Sequence, residues 1–452
     1  MKTNLFMALA FAFLMLFAAC TEEKIIYVEK ENGIEVLPGE GVIKISLSNS
    51  VETKAARPIT GDDATNNVNR IAFVFFYSDG KPYYPTIAEG TGYTIDKSGA
   101  ISNVLALNKT LSNNEEIVVH FEDMQEGSWK IVAIGYNSES GYDLPYEISV
   151  ESGGQLTDFN EKNKCIKLIP KSDGESMSPV EEIFAGISST TNEYETVNEF
   201  GNFVNSDITI TITRQVAGLL AYLSEVPAKV KVKESNGTEV DKTVKKITIS
   251  TPFNATGLYV PYTYGIDDDS FGNAPGCNGT GSVPQKDVFV FTHLLTFDIP
   301  TDATIDGSGC YEFNVDGKKY VLANENVAQS SLTPSVEVAN TLFGSCFVIP
   351  YNQHYGGNYV SDNRYGTLHI CYYDEDDNLI TYRPLRIEKT TDSEGQTSNS
   401  EPNYEYDIKC NHFYSIGSLP DEPLPINLES GSDNLKVIID TNWTESHNMT
   451  NK

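Results

Sequence analysis

The chain has 452 residues, of which 63 are acidic and 32 basic, so its formal net charge is −31 at pH 7. A charge of this sign and size repels phosphate backbones and therefore argues against nucleic acid as a partner. Because 40% of the residues are hydrophobic, a chain of this length can bury two cores of ordinary size.

The N-terminus has the pattern of a bacterial lipoprotein signal. A basic residue, Lys2, precedes an uncharged apolar run over residues 5–19, and small residues lead directly into Cys20. We expect residues 1–19 to be a signal peptide and Cys20 to be diacylated, to carry palmitate and to become the mature N-terminus. An ordinary signal peptide or an uncleaved anchor is the alternative. No other stretch approaches the roughly twenty apolar residues of a spanning helix, so we expect a lipid-tethered, otherwise soluble chain.

The first predicted strand follows a charged, lipidated spacer over residues 20–40. Ile43, Ile45 and Leu47 are apolar and alternate with polar residues, which is the period of a half-buried strand. We expect this strand to be the first of a β domain.

The loop behind this strand offers two basic residues to an extracellular trypsin-like protease. Lys54 is followed by Ala55, whereas Arg57 is followed by Pro58. Proline lacks an amide proton and restricts the residue before it, so cleavage after Arg57 is disfavoured. We therefore predict processing between Lys54 and Ala55, with Arg57 as the poorer site.

The rest of the chain shows almost no sustained helical periodicity. Short apolar segments alternate with Gly-rich and Asn-rich turns, and this spacing predicts an all-β chain of two tandem β-sandwich domains. We place the first domain at residues 41–203 and the second at residues 204–452. The cleanly alternating segment 207–214 is expected to open the second domain.

The last predicted strand covers residues 435–440 and follows a Pro-rich connector at residues 419–426. Such a connector acts as a semi-rigid spacer. We expect it to set the last strand apart from the domain before it.

The sequence carries no nucleophile elbow, zinc-protease helix, Walker loop or Rossmann fingerprint, so we predict neither an enzyme nor a cofactor. The acidic run 374–377 begins like an EF-hand, but Leu379 replaces the required glycine, which favours a solvated hairpin tip. His369 and Cys371, together with Cys410 and His412, could form a zinc site only if their strands were neighbours. Nothing in the sequence indicates that these strands pair, so we predict no metal. The six cysteines after Cys20 permit no deduction of disulfide pairing.

Several segments, taken in chain order, resemble fimbrillins, the lipoprotein pilus subunits of Gram-negative anaerobes. The segments are the apolar run ending at Cys20, residues 52–55, 68–76, 129–137, 184–186, 212–217 and 437–443. The resemblance implies two transthyretin-like β-sandwich domains, exported as a surface-exposed lipoprotein of the outer membrane and found in the fimbrium.

The resemblance also implies a route of assembly by donor-strand exchange. A surface protease cuts behind the first strand, the strand leaves with its lipid, and the C-terminal strand of another subunit fills the gap. The implied donor residues are Leu435, Val437, Ile439 and Trp443. The implied partners are other fimbrial subunits, the outer membrane through the lipid on Cys20, and host or bacterial surface ligands, in adhesion or biofilm formation.

Two alternatives stay open at this point. At the cut site, fimbrillins that polymerise have a sequence like Thr-Arg-Ala, whereas this chain has Thr53-Lys54-Ala55. This difference favours a non-polymerising fimbrial anchor or accessory lipoprotein that keeps its first strand. The 25 tyrosines suit a surface glycan-binding lipoprotein, since flat amphipathic rings stack on sugars. Most of them also suit ordinary half-buried strands.

Overall fold

All regular secondary structure that the computed structural model describes is β-strand, which confirms the all-β prediction. The described residues are 29–31, 34–36, 41–47, 68–77, 82–96, 104–111, 115–138, 166–168, 182–188, 194–205, 207–251, 258–260, 292–315, 318–323, 340–348, 368–388, 404–405, 408, 413–417, 423–427 and 436–440. This part of the chain includes no helix long and apolar enough to span a membrane.

The strands are numbered in chain order. Those before residue 215 are β1 (Glu29–Glu31), β2 (Ile34–Val36), β3 (Gly41–Leu47), β4 (Arg70–Tyr77), β5 (Pro82–Tyr83), β6 (Thr86–Ile87), β7 (Tyr93–Asp96), β8 (Val104–Leu107), β9 (Glu116–Glu122), β10 (Gly127–Tyr136), β11 (Ile166–Leu168), β12 (Ile183–Ile187), β13 (Glu195–Val197) and β14 (Ile208–Arg214).

Those after residue 215 are β15 (Ala217–Ser224), β16 (Lys229–Lys233), β17 (Glu239–Thr243), β18 (Lys246–Thr251), β19 (Leu258–Val260), β20 (Thr292–Asp298), β21 (Thr304–Ile305), β22 (Tyr311–Glu312), β23 (Asn314–Val315), β24 (Lys318–Lys319), β25 (Leu322–Ala323), β26 (Leu342–Val348), β27 (Leu368–Tyr373), β28 (Leu379–Glu388), β29 (Tyr404–Glu405), β30 (Phe413–Ile416), β31 (Leu424–Pro425) and β32 (Lys436–Asp440).

The first large sheet has eleven strands and follows the path β6-β9-β3-β14-β12-β10-β4-β8-β7, with β13 beside β10 and β5 beside β4. Every pairing along the path is antiparallel except that of β3 with β14, which run parallel. Parallel neighbours need a long crossover, and these two strands are indeed far apart in the chain.

The core of this sheet is aromatic at its centre. The side chains of Phe75 and Trp129 are fully buried, and the rings of Phe73 and Phe121 meet edge to face with centroids 5.2 Å apart. Burial of such large rings contributes much of the apolar area that stabilises a β domain.

The second large sheet also has eleven strands, along the path β20-β18-β27-β28-β32-β30-β15-β26-β25, with β29 beside β28 and β31 beside β15. Its core includes the buried side chains of Leu219, Ile247, Phe297 and Phe313. Two-stranded sheets pair β1 with β2, β11 with β19, β16 with β17, β21 with β22 and β23 with β24.

The alternating segment 207–214 does not open the second sheet. Its strand, β14, lies in the first sheet between β3 and β12, and the second sheet begins with β15. The chain passes from one sheet to the other at Gln215 and Val216, which are both buried. Alternation marks a strand but does not say which sheet it joins. The division into domains at residues 203 and 204 stays a prediction.

Candidate functional site

Strand β3 is an interior strand of the first sheet. It runs antiparallel to β9, with Gly41 opposite Phe121 and Ser46 opposite Glu116. On its other side it runs parallel to β14, with Ile43 beside Ile208. If β3 left, both neighbours would therefore present unpaired backbone groups, which is a template for another strand. We call the position of β3 between β9 and β14 the strand slot.

The apolar face of β3 is completely enclosed by the core. The side chains of Ile43, Ile45 and Leu47 are each 0% exposed. Removing them from water is worth roughly 1.5–3 kcal/mol apiece, or about 5–9 kcal/mol together. The slot is therefore costly to leave empty, and a replacement strand would need apolar residues at the same three positions.

The polar face of β3 is held by side chains of β14 and of the residue just before it. Lys44 Nζ donates a hydrogen bond to Asp207 Oδ1 over 2.7 Å, and the hydroxyl groups of Ser46 and Thr211 lie 3.1 Å apart. The hydrogen bond to Asp207 raises the pKa of Lys44, and the nearby charge of Glu116 adds to that effect. These contacts are solvent-accessible, so they favour one alignment of the strand more than they stabilise the fold.

At the start of β3, an aromatic ring occupies the space beside the backbone of Gly41. A Cβ atom at Gly41 would lie only 2.7 Å from Cε2 of Phe203, with Met124 behind it. Only glycine therefore fits at this position while the ring stays in place. At the other end, Leu47 leads into residues 48–67, which lie outside the described residues together with Lys54, Ala55 and Arg57.

The wall of the slot formed by β14 is fixed by a buried ion pair. Nε and Nη2 of Arg214 each lie 2.6 Å from Oε1 of Glu182, and both side chains are only about 4% exposed. The guanidinium of Arg214 also lies over the ring of Phe184 on β12, with Cζ 5.2 Å from the centroid. These contacts tie β14 to β12 and hold the wall in place.

The backbones of β12 and β14 also approach each other closely. A Cβ at Gly186 of β12 would lie 2.2 Å from the carbonyl oxygen of Thr211 on β14. That contact is shorter than any real side chain tolerates, so glycine is required there. Gly186 and Arg214 both lie in the segments that carry the family resemblance. Asp207, Thr211 and Phe203 had no signal in the sequence, because their contacts with β3 span long stretches of chain.

The C-terminal strand β32 lies inside the second sheet of its own chain. It runs antiparallel to β30, where Val437 lies opposite Ile416, and parallel to β28 beside Ile387. Like β3, it therefore has one parallel and one antiparallel neighbour. Val437 and Ile439 belong to this strand, whereas Leu435 and Trp443 lie outside the described residues, as does Cys20.

The described part of the Pro-rich connector is packed against the second sheet, unlike the free spacer that the sequence predicts. Ile426 is 1% exposed, its amide donates to the carbonyl of Ser224, and its carbonyl accepts a hydrogen bond from the hydroxyl of Tyr372. Leu424 and Ile426 alternate around a proline, which suits a short edge strand beside β15.

Metal ligands do not come together among the described residues. Of the two segments that would supply a zinc site, His369 and Cys371 lie on β27, and β28 and β32 separate this strand from β30. Cys410 and His412, in the other segment, lie outside the described residues. At the acidic turn, Oδ1 of Asp374 accepts hydrogen bonds from the amides of Asp376 and Asn378. This carboxylate therefore closes a hairpin tip between β27 and β28.

A comparison with solved structures found fimbrial proteins. The fimbrial anchor protein Mfa2 from Porphyromonas gingivalis is 10% identical, with a TM-score of 0.33 over 83% of this chain and 90% of that one. A fimbrial assembly protein from Parabacteroides distasonis is 10% identical, with a TM-score of 0.24 over 77% of this chain and all of that one. Neither protein-family models nor curated proteins matched the sequence.

Proposed function

We propose that this protein is a fimbrial subunit of the cell surface, exported as a lipoprotein on Cys20 and assembled by protease-triggered donor-strand exchange. The observation that carries the proposal is the position of β3. It is an interior strand with a fully buried apolar face. Its covalent connection to the other strands of the sheet nevertheless runs through the segment that contains Lys54 and Arg57.

Cleavage in that segment would turn β3 from a covalent part of the sheet into a separable strand. Its departure would open the strand slot, with unpaired edges on β9 and β14 and three empty apolar sites. An incoming strand satisfies the backbone groups and fills the sites, so assembly needs no source of energy other than folding itself.

The C-terminal strand is the proposed donor. Leu435, Val437 and Ile439 alternate in the same way as the three buried residues of β3. In the folded chain β32 pairs with β28 at Arg386 and Ile387 and with β30 over Phe413–Ile416, so it would have to leave both neighbours to act as a donor.

A non-polymerising anchor or accessory subunit is the second proposal. It is favoured by the seating of β32 in its own sheet and by lysine at position 54, which an arginine-specific protease does not cut. Such a subunit would keep β3 and the lipid on Cys20 and would present its surface to other fimbrial subunits. Both proposals place the protein at the outer membrane, in adhesion or biofilm formation.

Mass spectrometry of the mature N-terminus on cells tests the two proposals against each other. An N-terminus at Ala55 or Pro58 is expected for a polymerising subunit, whereas a diacylated Cys20 is expected for an anchor. For a polymerising subunit, unboiled gels should show a ladder after protease treatment. Deletion of residues 435–452 should abolish the ladder, and substitution of Lys54 and Arg57 by glutamine should prevent it. A ladder that survives the deletion contradicts strand exchange.

A further inference from the structure

We infer that a groove at the ends of the first sheet binds an extended, cationic segment of a partner protein, which pairs with the edge of β9 that faces away from β3. The groove is lined by residues of β6, β7 and β9 and by the connection over residues 88–92. Strands β6 and β7 are the two ends of the strand path of this sheet. The inference goes beyond strand exchange, because it needs neither cleavage of the loop behind β3 nor an empty strand slot.

The edge of β9 that borders the groove is only partly covered. Strand β6 pairs with the last residues of β9, and the amide of Ala88 donates to the carbonyl of His120. Because His120 faces away from β3, the backbone groups of Val118 and Glu116 do so too, since residues two apart in a strand share a direction. Neither of them pairs with a described strand on that side. They therefore offer donors and acceptors to an incoming strand.

A second strand edge borders the same groove. Beyond a bridge between Tyr93 and Gly90, β7 pairs only with β8 among the described strands. The carbonyl of Gly92 accepts from the amide of Asn108, so the two-residue period directs the backbone groups of Ile95 away from β8. Ile95 also lines the groove. Two backbone edges at one groove favour a polypeptide in extended conformation over a sugar or a lipid.

The size and the apolar lining of the groove suit such a segment. Its volume is about 1790 Å³. Pockets for small molecules usually measure about 300–1,000 Å³. The side chain of Leu111 is buried, and those of Ile95 and Ile117 are half-buried in the lining. A bound strand directs alternate side chains to opposite faces, so one set can pack on these apolar residues while the other set stays in solvent.

The charge of the groove favours a cationic occupant. Three exposed carboxylates line it, those of Glu89, Glu116 and Glu122. Lys109 is the only lysine or arginine among the described lining residues, and it forms an ion pair with Glu115. The formal net charge of −31 attracts a cationic partner over a longer range. A second copy of the chain carries the same negative charge, which disfavours it as the occupant.

Binding of a synthetic peptide tests the inference on the mature chain without protease treatment, so that β3 stays in place. The probe is a fluorescent peptide that alternates valine and lysine. We expect saturable binding that weakens as the salt concentration rises from about 0.05 M to about 0.5 M. A peptide that alternates valine and glutamate should not bind. Absence of saturable binding by the valine-lysine peptide would overturn the inference.

Backbone pairing is tested by a fully N-methylated peptide with the same side chains. This peptide cannot donate hydrogen bonds to the carbonyls of Val118 and Glu116, so its affinity should be about tenfold lower or less. Equal binding of the two peptides would show that the strand edge is not used and would overturn the inference. The test needs no change in the protein.

The variant Val118→Pro tests the same edge from the side of the protein. Proline removes the amide proton that faces the groove and leaves the backbone bonds from β9 to β3 in place, as it does on edge strands. Peptide affinity should fall about tenfold, whereas Val118→Thr, which keeps the amide, should stay within about twofold of the wild type. Fluorescence of the buried Trp129 checks that each variant is folded. If Val118→Pro does not fold, the N-methylated peptide decides.

Reversal of charge in the groove provides the last readout. The double variant Glu89→Lys, Glu122→Lys should bind the valine-lysine peptide about tenfold more weakly at low salt. The control Glu239→Lys, Asp302→Lys makes the same change in net charge at exposed positions outside the groove and should retain most of the affinity. Equal losses in both variants would mean that only the net charge acts, which would overturn the groove as the site.

Two outcomes separate this inference from its alternatives. Self-association of the untreated chain that Val118→Pro abolishes would identify a second copy as the occupant and would overturn a foreign segment. Failure of the protease-treated chain to form a ladder would contradict strand exchange alone, because peptide binding is measured with β3 in place.

Discussion

The buried ion pair between Arg214 and Glu182 gives the sharpest prediction about the strand-slot wall. Both side chains are almost fully enclosed, and the pair ties β14 to β12. Replacing Arg214 by methionine removes the guanidinium group from the buried Glu182 carboxylate. Removal of one partner of such a pair costs about 3–5 kcal/mol. With a urea dependence of about 2 kcal/mol per molar, the unfolding midpoint of the first sheet should fall by about 2 M.

The double variant Arg214→Met, Glu182→Leu separates the contribution of the intact ion pair to the free energy of unfolding from the cost of removing one partner. Two apolar residues of similar size need no counter-charge, so this variant should unfold within about 1 kcal/mol of the wild type. The assay is urea unfolding followed by the fluorescence of Trp129, which is fully buried in the same core. Lys44→Met breaks an exposed ion pair and is the control, with an expected loss of at most about 1 kcal/mol.

The reasoning would be refuted in either of two ways. A midpoint shift of less than about 0.5 M for Arg214→Met would mean that solvent or other groups already compensate Glu182. A double variant as unstable as the single one would mean that Arg214 acts through its packing on Phe184 and not through its charge.

Two further predictions concern close packing and pH. Gly186→Ala should destabilise the first sheet by about 1–3 kcal/mol, because the added methyl meets the Thr211 carbonyl, whereas Gly307→Ala, in open space, should be neutral by thermal unfolding. Hydrogen bonds from Ser308 and from the Cys310 amide lower the pKa of Asp306. Their stabilisation is therefore present above the unfolded pKa near 3.8 and is lost as pH falls through the lower folded value. Asp306→Ala should cost about 1 kcal/mol at pH 7 and progressively less as the pH falls below 3.8, by urea unfolding. A loss that does not decrease with falling pH would contradict this account.

The two ends of the chain have related positions in the fold. Both β3 and β32 lie inside a large sheet, each between one parallel and one antiparallel neighbour. Each strand is therefore hydrogen-bonded to a neighbour on both sides.

Local patterns in the sequence were sufficient to predict several elements. The alternation of Ile43, Ile45 and Leu47 predicts β3 and identifies the face that the structure buries. The alternation in residues 207–214 likewise predicts β14. These predictions succeed because side chains on successive strand residues point to opposite faces, so a few neighbouring residues are enough to show the pattern of burial.

The partners of those strands could not be predicted in the same way. That β14 joins the first sheet, parallel to β3, depends on contacts between residues more than 160 positions apart, such as Lys44 with Asp207. The same holds for the packed connector at Ile426, whose amide and carbonyl are satisfied by residues far along the chain. Prolines in a segment predict a break in a strand. Whether the residues around them are buried depends on the strands that pack against the segment.

The amino-acid sequence is enough to predict an all-β chain, with apolar strands near residues 43–47 and 435–440 and a basic loop behind the earlier one. Only the fold shows that β3 is interior, that Phe203 packs beside Gly41 and that Lys44 pairs with Asp207. Strand formation follows from local alternation, whereas long-range packing and backbone hydrogen bonding choose the neighbours of each strand.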